Sequence, residues 1–208
     1  MHKTVPMNRS VTGWIATFVP LVLSAQFGYN TVDTHAGTGT ASLMDGLLGS
    51  AAFNYPYGVC FDQTTNTIYV ADAFNNCIRR IQGGVVTTVA GNGTVGDVDA
   101  QGANARFDHP TGVFYKNGYL YIADNYNNKI KRMDGTGLVE TIAGSGSAGA
   151  SDGVAALAEF YEPKSIAVDD SGTVFIADYE NHMIRMLKDG IVSTIAGPGS
   201  PGAGRTIG

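Results

Sequence analysis

The stretch Tyr119-Leu-Tyr-Ile-Ala-Asp124, followed after four residues by Lys129-Ile-Lys-Arg-Met133, decides the fold of this 208-residue chain. Both runs are short and rich in β-branched and aromatic side chains, which is typical of strands rather than of helices. This part of the chain therefore contains two short strands that can pair. Equivalent pairs of runs occur at 67–72 with 77–81 and at 173–178 with 183–187.

The repeat has a regular period. An Ala-Gly pair closes the last apolar run of each copy, and the four glycines are 54, 53 and 53 residues apart. Each complete copy has four strand-like runs separated by turn formers, which is typical of a propeller blade that buries its faces only against its neighbours. We predict an all-β fold, a β-propeller of four-stranded antiparallel blades with about three blades in this chain. The predicted segments are a partial strand at 31–37 and blades at 53–106, 107–159 and 160–208.

The segment between blades repeats as well. A Phe-x-x-Pro motif precedes the first strand of every blade, beginning at Phe53, Phe107 and Phe160. A recurrent phenylalanine supplies a large apolar anchor, and a proline before a strand removes no ladder hydrogen bond. We therefore predict that these phenylalanines belong to the contacts between blades.

These motifs resemble the NHL repeat family of β-propellers. The family pattern is Phe-x-x-Pro-x-Gly-Val, then a strand ending in Ala-Asp-x-x-Asn, then an Ile-Arg segment. The second copy has Ile130-Lys131 in place of Ile-Arg, and the third has Ser165-Ile166 in place of Gly-Val. The resemblance covers residues 31–208 and implies a ring of six blades, of which this chain would form half. The motif pairs are Asp72 with Asn75, Asp124 with Asn127, and Asp178 with Asn181.

The repeated Asp-x-x-Asn is open to two interpretations. Carboxylates at equivalent positions could bind a cation, but successive blades spread such positions around a ring. Short polar side chains at a turn accept backbone N–H groups. We interpret the motif as structural.

The first 25 residues stand outside the repeat. Lys3 and Arg9 precede a 12-residue apolar stretch that ends at Ala25, which is the pattern of a secretory signal peptide. An uncleaved anchor and a buried core segment are the alternatives, but the stretch is short for a membrane span, which needs about 20 residues. We predict a signal peptide at 1–25, a propeller at 26–208, no stable membrane span, and a secreted, extracellular or cell-surface protein.

Two cysteines, Cys60 and Cys77, fall in the first and third strands of the first blade. Strands two apart in a sheet are separated by about 9.5 Å, which is too far for a disulfide. We predict two free thiols, with Cys60 buried.

Composition and motifs exclude several functions. The formal charge is −5, and no run of Lys or Arg exceeds two residues, so we expect no nucleic-acid partner. The four histidines are scattered, and no Cys-x-x-Cys or His-Glu-x-x-His motif occurs. Two Gly-x-Gly-x-x-Gly strings recur as repeat elements and open no helix, so they do not predict a dinucleotide site. We predict no catalytic residues, no metal and no cofactor.

Positions where the copies differ are candidates for a function added to the scaffold. They cluster where the chain enters the first strand of each blade, a place that lies near the end of the central channel in propellers. Two interpretations stay open for them: solvated loops without a binding role, or a partner-binding rim, which is the functional candidate. Asn92 in the sequon Asn92-Gly-Thr94 is a candidate glycosylation site if export follows a eukaryotic route. The rim residues are Tyr55, Tyr57, His109, Thr111, Glu162 and Lys164.

Two functions from different classes follow. The favoured one is a non-catalytic interaction module that binds a protein or glycan through blade-end loops. The alternative is a fragment of a propeller enzyme, a metal-dependent hydrolase or lyase, whose site needs further blades; enzyme activity is left open. Those blades would come from a longer chain or from a second copy in a homo-oligomer.

Overall fold

The computed structural model describes residues 32–197, which form three antiparallel sheets. The sheets correspond to the three repeats, and the fold is the predicted β-propeller type. The first strand of the middle sheet packs against the first strands of both neighbouring sheets, so these strands lie on the inner side of the array. The predicted signal peptide lies outside the described residues. Among residues 32–197 there is no helix with the length and apolar character needed to cross a membrane.

Blade 1 is a five-stranded sheet in the order β1-β5-β4-β3-β2. Its four long strands follow one another through hairpins, as the sequence predicts. The fifth, β1, comes from the loop that precedes the blade and pairs with the outermost strand, Gly46 opposite Val86. The strands are β1 (Gly46–Leu47), β2 (Pro56–Asp62), β3 (Thr67–Asp72), β4 (Cys77–Gln82) and β5 (Val85–Ala90).

Blade 2 lies between the other two. Its second strand is buried at nearly every position, because both of its faces are covered by neighbouring blades. The preceding loop again reaches the outermost strand, here through a single bridge between Gln101 and Leu138. The strands are β6 (Pro110–Lys116), β7 (Tyr119–Asp124), β8 (Lys129–Met133) and β9 (Val139–Ala143).

Blade 3 repeats the five-stranded arrangement of blade 1, in the order β10-β14-β13-β12-β11. The short added strand pairs Gly153 with Val192. The strands are β10 (Gly153–Val154), β11 (Pro163–Val168), β12 (Val174–Asp178), β13 (Met183–Lys188) and β14 (Ile191–Ala196).

The partial strand predicted at 31–37 does not form over its described part. Residues 32–37 have no strand pairing; instead the N–H of Gly37 donates to Leu48 O at 2.8 Å. The prediction came from the repeat phase, in which this position pairs with the third strand of its own blade. The described residues before Thr38 contain no such strand; Ala36 packs against the small apolar cluster of blade 1, and Gly37 is hydrogen-bonded to the loop that leads into this blade.

The segment that precedes each blade, which we call its crossing loop, contributes an aspartate whose carboxylate is hydrogen-bonded to the strands of that blade. In blade 1 the Asp45 carboxylate accepts from Thr88 N at 3.0 Å and from Arg79 Nη2 at 2.9 Å. Burial opposes ionisation, but these hydrogen bonds lower the pKa of Asp45. Asp99 and Asp152 occupy the same place in blades 2 and 3.

The apolar core lies between blades. One cluster joins blades 1 and 2 and contains Phe107, and a second joins blades 2 and 3 and contains Phe160; both rings are fully buried. This confirms the predicted role of these two phenylalanines. Phe53 is only partly buried and packs against the smaller cluster on the other face of blade 1.

Both cysteines are free, as predicted, but the prediction that Cys60 is buried was wrong. Cys77 is fully buried, whereas Cys60 is half-buried on the first strand. Desolvation raises the pKa of each thiol to about 12. Both thiols are therefore protonated at neutral pH and are poor nucleophiles.

Candidate functional site

Two sets of loops form one end of the blades, which we call the upper face. The lead-in loops are residues 53–56, 107–110 and 160–163, and the hairpin loops are residues 73–76, 125–128 and 179–182. Within each blade the two loops are hydrogen-bonded to each other: in blade 1 the N–H of Phe74 donates to Asn54 O at 3.1 Å. Equivalent bonds join Tyr126 to Asp108 and Glu180 to Tyr161. The upper face is therefore one repeated structure.

The aspartate of Asp-x-x-Asn holds these loops together from below. In blade 3, Asp178 Oδ1 accepts from Tyr161 N at 2.8 Å, and Oδ2 accepts from Asn181 Nδ2 at 2.8 Å. The same Oδ2 accepts from Arg185 Nη1 at 2.7 Å, and neither side chain of this ion pair is exposed. Asp72 makes the equivalent contacts with Asn75 and Arg79.

Sequence reasoning placed the aspartates at turns but missed their buried cations. The signal was present, because an Arg or Lys follows each motif aspartate by seven residues. The spacing alone does not show that these side chains are buried, because lysine and arginine are seldom fully buried. The structure places Arg79, Lys131 and Arg185 among the largest fully buried side chains.

Blade 2 differs at this position. Lys131 Nζ lies 3.8 Å from Asp124 Oδ2 and donates instead to Asp97 and Asp99, both at 2.7 Å. Asp124 is fully buried and lacks the close guanidinium that the other blades supply. Desolvation raises the pKa of Asp124 to about 7 despite the hydrogen bond from Asn127.

Neighbouring blades are also linked across the upper face. The Asn76 side chain accepts from His109 N at 3.0 Å, and the Asn128 side chain accepts from Glu162 N at 3.0 Å. Thr111 Oγ1 donates to Lys164 O at 3.1 Å. The hairpin loop of one blade therefore positions the lead-in loop of the next.

The predicted rim contains three residues with left-handed backbone. Tyr55, His109 and Glu162 occupy the same repeat position and have φ of 50°, 49° and 51°. This conformation is uncommon for residues other than glycine, and a following proline ordinarily favours extended backbone. The three positions are thus strained in the same way in every blade.

Four side chains form a continuous aromatic band on the upper face of blades 1 and 2. Tyr55 lies 4.6 Å from Phe74, Phe74 lies 4.6 Å from the His109 ring, and His109 lies 4.4 Å from Tyr126, all between ring centroids. His109 Nδ1 also donates to the Asp108 carboxylate at 2.8 Å, which orients the ring. Tyr55, Phe74 and Tyr126 are exposed large aromatic side chains. The rim prediction named Tyr55 and His109 but missed Phe74 and Tyr126, which lie in the hairpin loops.

The upper face of blade 3 is also aromatic, with more charge. Lys164 Nζ lies 3.3 Å from the centroid of the Tyr179 ring, and Tyr161 is exposed beside Glu162. Of the other predicted rim residues, Tyr57 is exposed on β2, whereas Thr111 is buried. Thr111 therefore lies in the contact between blades 2 and 3 and not on an accessible rim. Asn92 is exposed.

Within residues 32–197, no group of three or more acidic, histidine or cysteine side chains is placed to hold a metal ion. The upper face of the described blades offers stacking surfaces and hydrogen-bonding groups.

Comparison with protein families gives two matches. Residues 53–81 and 160–185 match the NHL repeat. These segments contain the Phe-x-x-Pro, Asp-x-x-Asn and Ile-Arg motifs of blades 1 and 3.

Relatives carry the same similarity over a longer stretch. Protein SUPPRESSOR OF QUENCHING 1, chloroplastic, from Arabidopsis thaliana is 35% identical over 150 residues, 66% of this chain and 14% of that protein. NHL repeat-containing protein 2 from Gallus gallus is 34% identical over 153 residues, 66% of this chain and 21% of that protein. The chain spans only about a fifth or less of the length of these curated relatives.

Among solved structures, an auxiliary nutrient binding protein from Bacteroides ovatus has a TM-score of 0.58 and 23% identity, covering 72% of this chain and 39% of that chain. This likeness concerns the fold. The repeat matches at 53–81 and 160–185, together with the relatives named for NHL repeats, identify the chain as a member of the NHL repeat family.

Proposed function

We propose that this chain is a non-catalytic interaction module, secreted or at the cell surface, that binds a protein or glycan partner through its upper face. The observation that carries the proposal is the aromatic band of Tyr55, Phe74, His109 and Tyr126, whose rings contact one another while three of them stay exposed.

The energetics of aromatic side chains support a binding role. Exposed rings in contact give a partner a large apolar area with few rotatable bonds, and tyrosine is enriched among the residues that dominate binding energy. Such a contiguous apolar surface on a soluble protein is typical of an interaction site.

The backbone of the lead-in loops supports the same conclusion. Left-handed conformation costs about 1–2 kcal/mol for a residue with a side chain, and the fold accepts that cost at Tyr55, His109 and Glu162. Strain held at one repeated surface position is characteristic of sites where side-chain direction matters.

The binding proposal is tested with a triple variant, Tyr55→Ser, Phe74→Ser and Tyr126→Ser. Ligands are selected with the wild-type chain from a glycan array and from a displayed random-peptide library, and their Kd values are measured. We expect at least a tenfold loss of affinity in the triple variant.

The matched control is Leu157→Ser, which removes an exposed apolar side chain from a crossing loop. This variant should bind like the wild type. Equal affinity of all three proteins for every selected ligand would contradict the proposed surface.

The non-catalytic part of the proposal has its own test. Metal analysis of the purified chain is combined with turnover assays on a lactone and on an amidated peptide. Bound Ca²⁺ or Zn²⁺ together with turnover would support the enzyme alternative and overturn this part.

Export is tested through the N-terminus of the mature protein. We expect expression in the source cell to yield a chain that begins near residue 26, because residues 1–25 have the composition of a signal peptide. A chain that retains residues 1–25 inside the cell would contradict the proposed location.

A further inference from the structure

The contact between blades joins two different surfaces. We call the side of a blade that points toward the preceding blade its leading face, and the side that points toward the following blade its trailing face. Between blades 1 and 2, the trailing face of blade 1 contributes Ile78 and Ala90 to the shared apolar cluster. The leading face of blade 2 contributes Val113 and Ile122 to the same cluster.

The contact between blades 2 and 3 repeats this arrangement. The trailing face of blade 2 contributes Ile130 and Ala143, and the leading face of blade 3 contributes Ile166 and Ile176. These residues occupy the same repeat positions as those in the first contact. The chain therefore builds one kind of interface twice, with a trailing face against a leading face.

The leading face of blade 1 is not covered by another blade within residues 32–197. Val59 and Phe61, on its first strand, are exposed large apolar side chains. Their equivalents in blade 3, Ile166 and Val168, are buried against blade 2. A contiguous apolar surface of this kind is typical of an interaction site.

The trailing face of blade 3 is uncovered in the same way by the described blades. Ile184 and Ile195 are exposed on its third and fourth strands. Ile78 and Ile130, which occupy the repeat position of Ile184, are fully buried. The two ends of the array thus expose the two complementary halves of its own interface.

We propose that the trailing face of blade 3 binds the leading face of blade 1 in a second copy of this chain. The occupant follows from the interface itself, because each exposed face matches the surface that the opposite end of the chain presents. A contact between two different faces either closes a small ring or continues as a head-to-tail series. It uses other residues than the aromatic band and does not depend on the function of that band.

Ser165 makes the contact between copies weaker than the contacts within the chain. A Cβ at Gly112 would lie 2.7 Å from Lys164 O in the following blade, and Ser165 occupies the position of Gly112 in blade 3. Two copies therefore cannot approach as closely as blades 2 and 3 do unless the strands shift. We expect the chain to be mostly monomeric at concentrations of about 5 µM and associated at about 500 µM.

Sedimentation equilibrium of the full chain at these two concentrations tests the contact. The weight-average mass should rise from that of one chain toward that of two or more. Val59→Glu and Ile184→Glu each place a charge on one of the two faces, and each variant should stay monomeric. The matched control Leu157→Glu changes an exposed side chain of a crossing loop and should associate like the wild type. Because all three side chains are exposed, the variants should fold, which circular dichroism checks.

An equal mixture of the two monomeric variants gives the sharpest test. The Val59→Glu chain keeps an intact trailing face, and the Ile184→Glu chain keeps an intact leading face. The mixture should therefore form pairs at the higher concentration although neither variant does so alone. Association through two identical faces, or through unspecific apolar contact, would not be recovered by mixing.

Ser165→Gly tests whether the copies pack as the blades do. It restores the glycine of the other two blades and should lower the concentration of half-association about tenfold. An unchanged concentration would overturn this packing.

Two results would overturn the proposal as a whole. The first is a wild-type chain that stays monomeric at the higher concentration, which would assign the exposed faces to another occupant. The second is association that persists in both glutamate variants, because the contact would then lie elsewhere on the molecule.

Discussion

The middle blade and the two flanking blades have nearly the same sequence pattern but different surroundings. Val113 of blade 2 is 7% exposed, whereas its equivalent in blade 1, Val59, is 67% exposed. On the opposite face Ile130 of blade 2 is 0% exposed and Ile184 of blade 3 is 41% exposed. The burial of a repeat position is therefore decided by the neighbouring blade and not by the local sequence.

The largest expected effect contrasts the two isoleucines. Ile130→Ala should lower the free energy of unfolding by about 4 kcal/mol, because it leaves a cavity between blades 2 and 3. Ile184→Ala should cost less than about 1 kcal/mol, because its side chain is partly solvated already. Urea unfolding of both variants measures the difference. Equal costs would mean that a partner covers the outer face of blade 3 in solution.

The second comparison is between Gly112, at the contact of two blades, and Gly49, in an exposed loop. A Cβ at Gly112 would lie 2.7 Å from Lys164 O and 2.9 Å from Ser165 Cα, both in the first strand of blade 3. Gly112→Ala should therefore cost about 3 kcal/mol, since two backbones would have to separate.

The control for this substitution is Gly49→Ala. Gly49 has no heavy atom within 4 Å of a built Cβ, so this variant should stay within about 0.5 kcal/mol of the wild type. The same urea series measures both. A small cost for Gly112→Ala would show that the first strands of adjacent blades can move apart.

The glycines Gly58 and Gly112 belong to a packing contact that the sequence motif does not reveal. A Cβ at Gly58 would collide with Thr111 O, and one at Gly112 would collide with Lys164 O, each in the first strand of the following blade. The sequence shows the recurrent glycine, but the close approach becomes visible only when the strand on the other side is known.

The sequence predicts the structural features that neighbouring residues determine, and it misses those that depend on residues far apart in the chain. The strands at 119–124 and 129–133 were predicted with the bounds that the structure has, because alternation and turn residues act locally. The short strand at Gly46–Leu47 was missed, since its partner is nearly 40 residues away.

The candidate site follows the same rule. Tyr55 and His109 could be chosen because they vary between copies. Phe74 and Tyr126 could not, because their contacts with those residues depend on how the hairpin loop meets the lead-in loop of the same or the next blade. Thr111 was assigned to the rim although the neighbouring strand buries it.

The buried acid–base pairs also differ between the middle blade and a flanking blade. Asp124 Oδ2 lies 3.8 Å from Lys131 Nζ in blade 2, whereas Asp178 Oδ2 lies 2.7 Å from Arg185 Nη1 in blade 3. The pKa of Asp124 is raised in the folded state to about 7, from 3.8. The folded protein then keeps a proton that the unfolded chain loses, so the free energy of unfolding should fall as pH rises from about 4 to 7 and level off above.

Lys131→Arg should weaken this pH dependence. An arginine can bring its guanidinium next to Asp124, as Arg185 does at 2.7 Å from Asp178. Each unit by which the pKa of Asp124 falls should add about 1.4 kcal/mol of stability above pH 7. Urea unfolding at pH 5 and pH 8 measures the change relative to the wild type. Lys131→Met should steepen the decline; identical profiles in all three proteins would contradict the assignment to Asp124.

The smallest effect tests whether the outer face of blade 1 is free. Val113→Thr should cost about 1.5 kcal/mol, because it buries a hydroxyl between blades 1 and 2. Val59→Thr makes the same chemical change on an exposed strand and should stay within about 0.5 kcal/mol. Urea unfolding at two protein concentrations, a hundredfold apart, measures both. If Val59→Thr becomes costly only at the higher concentration, another copy of the chain covers this face, and the difference between middle and flanking blades ends where that contact forms.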